Sequence, residues 1–158
     1  MIDMSAALEA VEQAGVEHEV VRHGPAGSLE EAARNQGVEV RDVVKTLVVR
    51  RADDDFLFVL VPGGRSISWP KLRALLGVKR LSLPDAETAK AATGYERGTI
   101  TPFGATTAWP VIADETTRGR TISLGAGERG VGLRVAADDV VAALGGDFAD
   151  VSEAEKDR

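Results

Sequence analysis

The side chain with the clearest chemical potential is Lys45, set in the apolar run VVKTLVV. Residues 42–51 carry Val43, Val44, Leu47, Val48 and Val49, a β-branched pattern that predicts a buried strand. Side chains alternate along a strand, so Val43, Lys45, Leu47 and Val49 share one face and Val44, Thr46, Val48 and Arg50 the other. An ammonium on an apolar face is costly unless it is paired or reaches water. Two readings follow: a lysine that snorkels its charge out of the strand, or one held by the sheet to meet an anionic ligand.

The other residue types narrow the chemistry. The chain has no cysteine, which removes disulfides, thiolate nucleophiles and cysteine metal ligands together. His18 and His23 are the only histidines, and they lack H-E-x-x-H spacing, so no zinc site is expected. There is no G-x-S-x-G elbow for a nucleophilic serine and no P-loop around Lys45 or Lys71. Residues 125–130, GAGERG, match G-x-G-x-x-G. A dinucleotide site needs a helix after that motif, whereas VGLRV reads as a strand, so the Rossmann reading fails. What remains is a glycine-rich hairpin loop, or a loop whose backbone N–H groups face an anion. A second glycine loop, GYERGTITPFG at 94–104, allows close backbone approach to a ligand. An enzyme built from these parts works without a covalent side-chain nucleophile, by positioning water or a substrate group with backbone dipoles and a cation.

The elements that must hold these residues follow from periodicity and punctuation. Met4, Leu8 and Val11 predict a helix stopped by Gly15. A strand follows at 17–22 and a glycine- and proline-containing loop at 23–27. Ser28 and Glu31 form a capping box that opens a helix ending near Gly37. After the lysine strand, three aspartates make a turn into FLFVLV, giving an antiparallel hairpin. Ser68 caps a helix with Leu72, Leu75 and Leu76 on its buried side, ended by Gly77. A short strand is predicted at 78–83, a break and helix cap at Pro84 and Asp85, and an Ala-rich helix at 85–93. Strands at 111–113, 120–124 and 131–135 and a helix at 138–144 complete the pattern, and 147–158 reads as charged and frayed. The expected fold is α+β: a central mixed, largely antiparallel and curved sheet or barrel of about six to seven strands with surrounding helices. One domain over 1–150 and a flexible tail at 151–158 are expected for a chain of 158 residues.

Charge bounds the partners. The net charge is −6, which argues against a wide duplex-binding surface and against DNA. Basic residues nevertheless concentrate between Arg41 and Arg80, with acidic ends on either side. No apolar run is long enough for a membrane span, and the N-terminus lacks the basic region of a signal peptide, so a cytoplasmic protein is expected.

VVKTLVV, GYERGTITPFG and ISLGAGERGVGL, in this order and spacing, resemble the signatures of the YbaK/EbsC group of aminoacyl-tRNA deacylases. That group is similar to the editing domain inserted in bacterial prolyl-tRNA synthetases. The resemblance runs from about Leu8 to Val151. It implies cofactor-free hydrolysis, in trans, of the ester of a mischarged tRNA carrying a small amino acid, with tRNA(Pro) one candidate. The partners it implies are the acceptor end of that tRNA and an aminoacyl-tRNA synthetase. Lys45 would meet the phosphate or ribose of the tRNA 3′ end, and the Gly98 carbonyl would help place water or the reactive group. Thr101, Pro102, Phe103 and Gly104 would wall the aminoacyl pocket. Gly125 and Gly127, in the second glycine loop, would close its other side, and Thr46 and His23 would lie near it. The chain departs from the Cys-specific branch at Gly125, Gly132 and Val21, where that branch has serine, aspartate and tyrosine. It departs from the alanine-editing branch at Thr46, where asparagine is usual. The alternative function is a module that binds a tRNA 3′ end or a nucleotide without hydrolysing it.

Overall fold

A computed structural model describes residues 5–24 and 27–155. The order of elements is α1 (Ser5–Gln13), β1 (His18–Arg22), α2 (Leu29–Gln36), β2 (Val44–Ala52), β3 (Asp55–Pro62), β4 (Arg65–Ile67), α3 (Trp69–Leu76) and α4 (Ala86–Thr93). There follow β5 (Val111–Asp114), β6 (Thr121–Gly125), β7 (Val131–Ala136), α5 (Ala137–Ala143), β8 (Asp147–Ala149) and β9 (Ser152–Ala154). The fold is α+β, as expected, with the strands divided among three sheets of order β1-β7-β6, β2-β3-β5-β8 and β4-β9. Four strand pairings are antiparallel, while β3-β5 and β5-β8 are parallel. A single parallel bridge, Val43 to Ser123, joins the first two sheets.

Local chemistry sets the helix ends. The Ser28 hydroxyl accepts from the Glu31 N–H at 3.1 Å, and Gly37 ends α2 in the left-handed conformation at φ 68°. The Glu31 carboxylate reaches back to the N–H of Gly27 at 3.0 Å, one residue before the cap. Ser68 caps α3 and Asp85 caps α4, the latter accepting from Thr88 at 2.8 Å. The Asp85 carboxyl lies below its ordinary range because it accepts the Thr88 backbone and side-chain hydrogen bonds. Met4, expected in α1, and Pro25 and Ala26, expected in the loop after β1, lie outside the described residues.

Two apolar clusters flank the β2-β3 hairpin. Val44, Val48, Phe58 and Leu60 belong to one, with Ile122, Leu124 and Leu133 of the β6-β7 sheet. Val49, Val59, Val61 and Leu72 belong to the other. The hairpin is thus covered on both faces, which is why β3 reads as an unbroken apolar run.

Three expectations change. Residues 78–83 do not form a regular strand: only Arg50 and Ser82 bridge, exchanging N–H···O bonds of 2.8 and 3.1 Å. Leu75 is exposed, because α3 is short and turns only Leu72 fully inward. Residues 147–154 are not frayed: β8 pairs with β5, and β9 pairs with β4. The anchor of this last segment is Asp114, which is fully buried. Burial pushes its carboxyl up. Hydrogen bonds from the Thr116 and Ser152 hydroxyls and from the Thr116 and Val151 N–H groups outweigh that and hold it below its ordinary pKa.

The stabilisation from this carboxylate is present above the unfolded-state pKa, about 3.9, and is lost as pH falls through the lower folded value. Asp114→Asn is therefore expected to lower the urea midpoint at neutral pH. The gap between variant and wild type is expected to narrow below about pH 4. A gap independent of pH would contradict this role.

Candidate active site

β2 is an edge strand, and β6 runs parallel to its start through the Val43–Ser123 bridge. Beyond that bridge lies a cavity of about 410 Å³. Its walls are the backbone and side chains of 44–48, Gly125 at the end of β6, Arg97, Gly98 and Ile100 of the first glycine loop, and Leu83, Pro84, Ala86 and Ala89 around the start of α4. The structure therefore brings together Lys45, Thr46, Gly98 and Gly125 from three separated stretches of sequence.

Lys45 sits at the open side. Its side chain is 48% exposed, and its Nζ lies 3.6 Å from the Glu155 carboxylate, itself 49% exposed. The strand holds the stem while the charge reaches water, as the snorkelling reading expects. An exposed pair of this kind contributes little stability and yields readily to a stronger anion. Arg97 supplies a second exposed cation on the cavity wall.

Thr46 is the neighbour on the opposite strand face. Its hydroxyl oxygen is buried and, among the described residues, has no hydrogen-bond partner. A buried hydroxyl left without a partner costs about 1–3 kcal/mol.

The two glycine loops are stitched together behind the cavity. The Gly127 N–H donates to the Thr99 carbonyl at 3.0 Å, and Arg129 Nη2 donates to the Arg97 carbonyl at 3.3 Å. A Cβ on Gly125 would stand 2.6 Å from the Ile100 carbonyl oxygen and 3.2 Å from that of Thr99. Glycine is required there by close backbone approach, so the serine of the Cys-specific branch could not enter this backbone arrangement unchanged. At Gly132 a Cβ would meet the Ser123 hydroxyl at 2.9 Å and the Gln36 side chain at 3.2 Å. Gln36 and Ser123 are buried and hydrogen-bonded to each other there.

The remaining site candidates lie elsewhere. Thr101, Pro102 and Phe103 are buried beneath the loop rather than in the cavity wall, and Phe103 joins the larger core cluster. The Tyr95 hydroxyl donates to the Phe103 carbonyl at 2.7 Å, and burial pushes its pKa up to about 12. Gly104 packs on α1, where a Cβ would meet the Ala6 carbonyl oxygen at 2.4 Å. His23 donates from Nδ1 toward the Gly24 carbonyl at 2.8 Å, outside the cavity lining, as is Gly127. The TPFG segment thus ties the loop to the core, and the preceding Arg97, Gly98 and Ile100 face the cavity. Arg97, Leu83 and Pro84 had no sequence signal beyond lying in or beside loops. No group of three or more His, Cys, Asp or Glu among the described residues could hold a metal ion.

The start of β2 is fixed by one ion pair. Arg120 Nε lies 2.5 Å from the Asp42 carboxylate, which is buried, and Nη2 lies 2.7 Å from Glu39. The hydrogen bond to Asp42 raises the pKa of the guanidinium. This clamp joins the β6 side of the cavity to the residues just before Lys45.

The sequence matches the aminoacyl-tRNA editing domain family over residues 23–143, and the chain belongs to that family. A relative in Enterococcus faecalis, provisionally named as the Cys-tRNA(Pro)/Cys-tRNA(Cys) deacylase EbsC, is 28% identical over 129 residues, covering 81% of this chain and 79% of the relative. A proline–tRNA ligase of Thermosipho melanesiensis is 32% identical over 99 residues, which are 63% of this chain and only 17% of the ligase. Among solved structures, one provisionally described as a trans-editing enzyme for prolyl-tRNA synthetase superposes with a TM-score of 0.83 at 26% identity. The match covers 95% of this chain and 96% of that one.

Thr46→Val keeps the side-chain shape and removes the orphan oxygen. It is expected to leave the ligand-free protein as stable or to stabilise it by about 1 kcal/mol in urea denaturation. A loss of stability of that size would show that the hydroxyl is already satisfied.

Proposed function

We propose that this protein is a trans-acting aminoacyl-tRNA deacylase that hydrolyses the ester of a mischarged tRNA carrying a small amino acid. The observation that carries this reading is the cavity in which Lys45, the unpartnered Thr46 hydroxyl, Gly98 and Gly125 converge, in a chain of the editing family. Val44, Val48, Ala89 and Ile100 give it apolar walls that accord with an aliphatic aminoacyl side chain. The similarity to prolyl-tRNA ligases and to the E. faecalis protein supports tRNA(Pro) as the carrier. A cytoplasmic location accords with that substrate.

In this reading Lys45 exchanges its loose contact with Glu155 for a phosphate or ribose oxygen at the tRNA 3′ end. The Thr46 hydroxyl takes a polar group of the aminoacyl ester. Water adds to the ester carbonyl beside the Gly98 backbone, and the ester C–O bond breaks as the ribose oxygen leaves with a proton. Among the described residues, no carboxylate or imidazole lines the cavity. The proton therefore passes through water or the neighbouring ribose hydroxyl, and catalysis rests on orientation of an already labile ester. That same lack of a side-chain base favours a second reading, a module that binds the tRNA end without turnover.

The test is deacylation of tRNA(Pro) charged with alanine, serine or cysteine. Wild type is expected to cleave at least one of the three. Lys45→Ala is expected to lower kcat/KM by about 10- to 100-fold, the value of a charge-assisted hydrogen bond of about 1.5–3 kcal/mol, with an unchanged melting temperature. Lys45→Arg is expected to recover part of the binding and little of the rate, because its planar fork does not reproduce a point charge. Binding of charged tRNA without cleavage by wild type would favour the second reading.

A further inference from the structure

Beyond the cavity, β2 ends in a shallow cleft whose walls carry five cations: Arg50 and Arg51 from the strand, Arg73 from α3, and Lys79 and Arg80 from the connection that follows. Its single lining carboxylate, Asp53, pairs with Arg50 at 2.7 Å, and Arg51 pairs with Asp55 at 3.1 Å. Arg73, Lys79 and Arg80 have no ion-pair partner among the described residues, and Lys79 and Arg80 are exposed. In a chain of net charge −6, such a concentration of unpaired positive charge is a local attractor for polyanions.

The cleft and the cavity lie on one seam. Residues 44–48 of β2 and 83–86 of the α3–α4 connection line the cavity, while 50–53 and 79–82 of the same two segments line the cleft. The Arg50–Ser82 bridge fastens the two segments at the cleft. Lys45 and Arg50 stand on opposite faces of β2, but the free strand edge that borders both cavity and cleft runs about 17 Å between them at about 3.3 Å per residue. That is the length of about five stacked nucleotides at about 3.4 Å each. An RNA whose terminal ribose reaches Lys45 therefore carries the backbone of its adjoining stem to the cleft. Leu83, 53% exposed and on the cavity wall, offers an apolar rest for a base between the two.

We infer that the Arg73–Lys79–Arg80 cleft binds the phosphodiester backbone of the acceptor stem of the tRNA whose 3′ end enters the cavity. The identity of the RNA rests on the deacylase reading, and the binding is measured without ester cleavage. The probe is an uncharged tRNA(Pro) transcript, titrated by fluorescence anisotropy between 50 and 200 mM salt. Arg73→Gln/Lys79→Gln/Arg80→Gln is expected to weaken binding more than tenfold at the lower salt and to reduce the slope of log K against log salt by about 2–3. A charge-matched control, Arg34→Gln/Arg41→Gln/Arg118→Gln, is expected to stay within about threefold of wild type, as is binding of the cleft variant to an oligonucleotide of the unpaired 3′ end alone. Unchanged affinity in the cleft variant, equal loss in the control, or equal loss with the oligonucleotide would overturn the assignment. Failure of wild type to cleave any charged tRNA would defeat the deacylase reading and leave the measured RNA contact intact.

Discussion

The single bridge between Val43 and Ser123 is the point on which the arrangement depends. It brings β2, at the edge of one sheet, alongside β6, at the edge of another, and the strands exchange no further bridge. Two sheet edges that met along their full length would close into a continuous surface and leave no cavity. Here the residues just past the contact, Val44 to Val48 on one strand and Gly125 on the other, become cavity walls. The Arg120–Asp42 ion pair holds the strands at this junction, and the loop at 97–100 and the start of α4 supply the remaining walls. Placing Lys45 two residues into β2 gives its stem a rigid base and its charge an exit at the strand end.

The electrostatics follow the same line. The chain is acidic overall, yet five cations that are unpaired or only loosely paired line the seam between β2 and the α3–α4 connection, with Lys45 and Arg97 at one end and Arg73, Lys79 and Arg80 at the other. An acidic protein that must hold one end of a polyanion is served by a narrow cationic strip, because repulsion elsewhere keeps the polymer in a single orientation. The weak Lys45–Glu155 pair fits this economy, since it holds the lysine extended without competing strongly with phosphate.

Much of this was legible in the sequence where the signal is local. Ser28, Ser68 and Asp85 cap their helices as their positions predict, and the lysine strand pairs with FLFVLV across the aspartate turn. Lys45 stood out because one charge interrupts a β-branched run. The three-residue strands β4, β8 and β9 were not legible, because their pairing comes from distant backbone and too few side chains show a period. Residues 78–83 read as a strand from composition, but only Ser82 finds a partner. In the site, the GYERGTITPFG loop reads as unusual, yet Tyr95 near its start and Phe103 and Gly104 at its end serve the core. Glycine and proline report backbone constraint without saying whether the constraint faces a ligand or a neighbouring helix. The unsatisfied Thr46 hydroxyl was invisible for a related reason: satisfaction is a property of surroundings that no single residue encodes.

The mechanism turns on where the reacting ester sits. A crystal structure with a non-hydrolysable amide analogue of a 3′-aminoacylated adenosine 5′-phosphate would show it. The aminoacyl carbonyl is predicted to lie against Gly98 and Gly125, with a polar atom of the ligand bonded to the Thr46 hydroxyl and its phosphate or ribose displacing Glu155 from Lys45. An analogue seated outside this cavity, or one that leaves Thr46 unpartnered and the Lys45–Glu155 contact in place, would contradict the account.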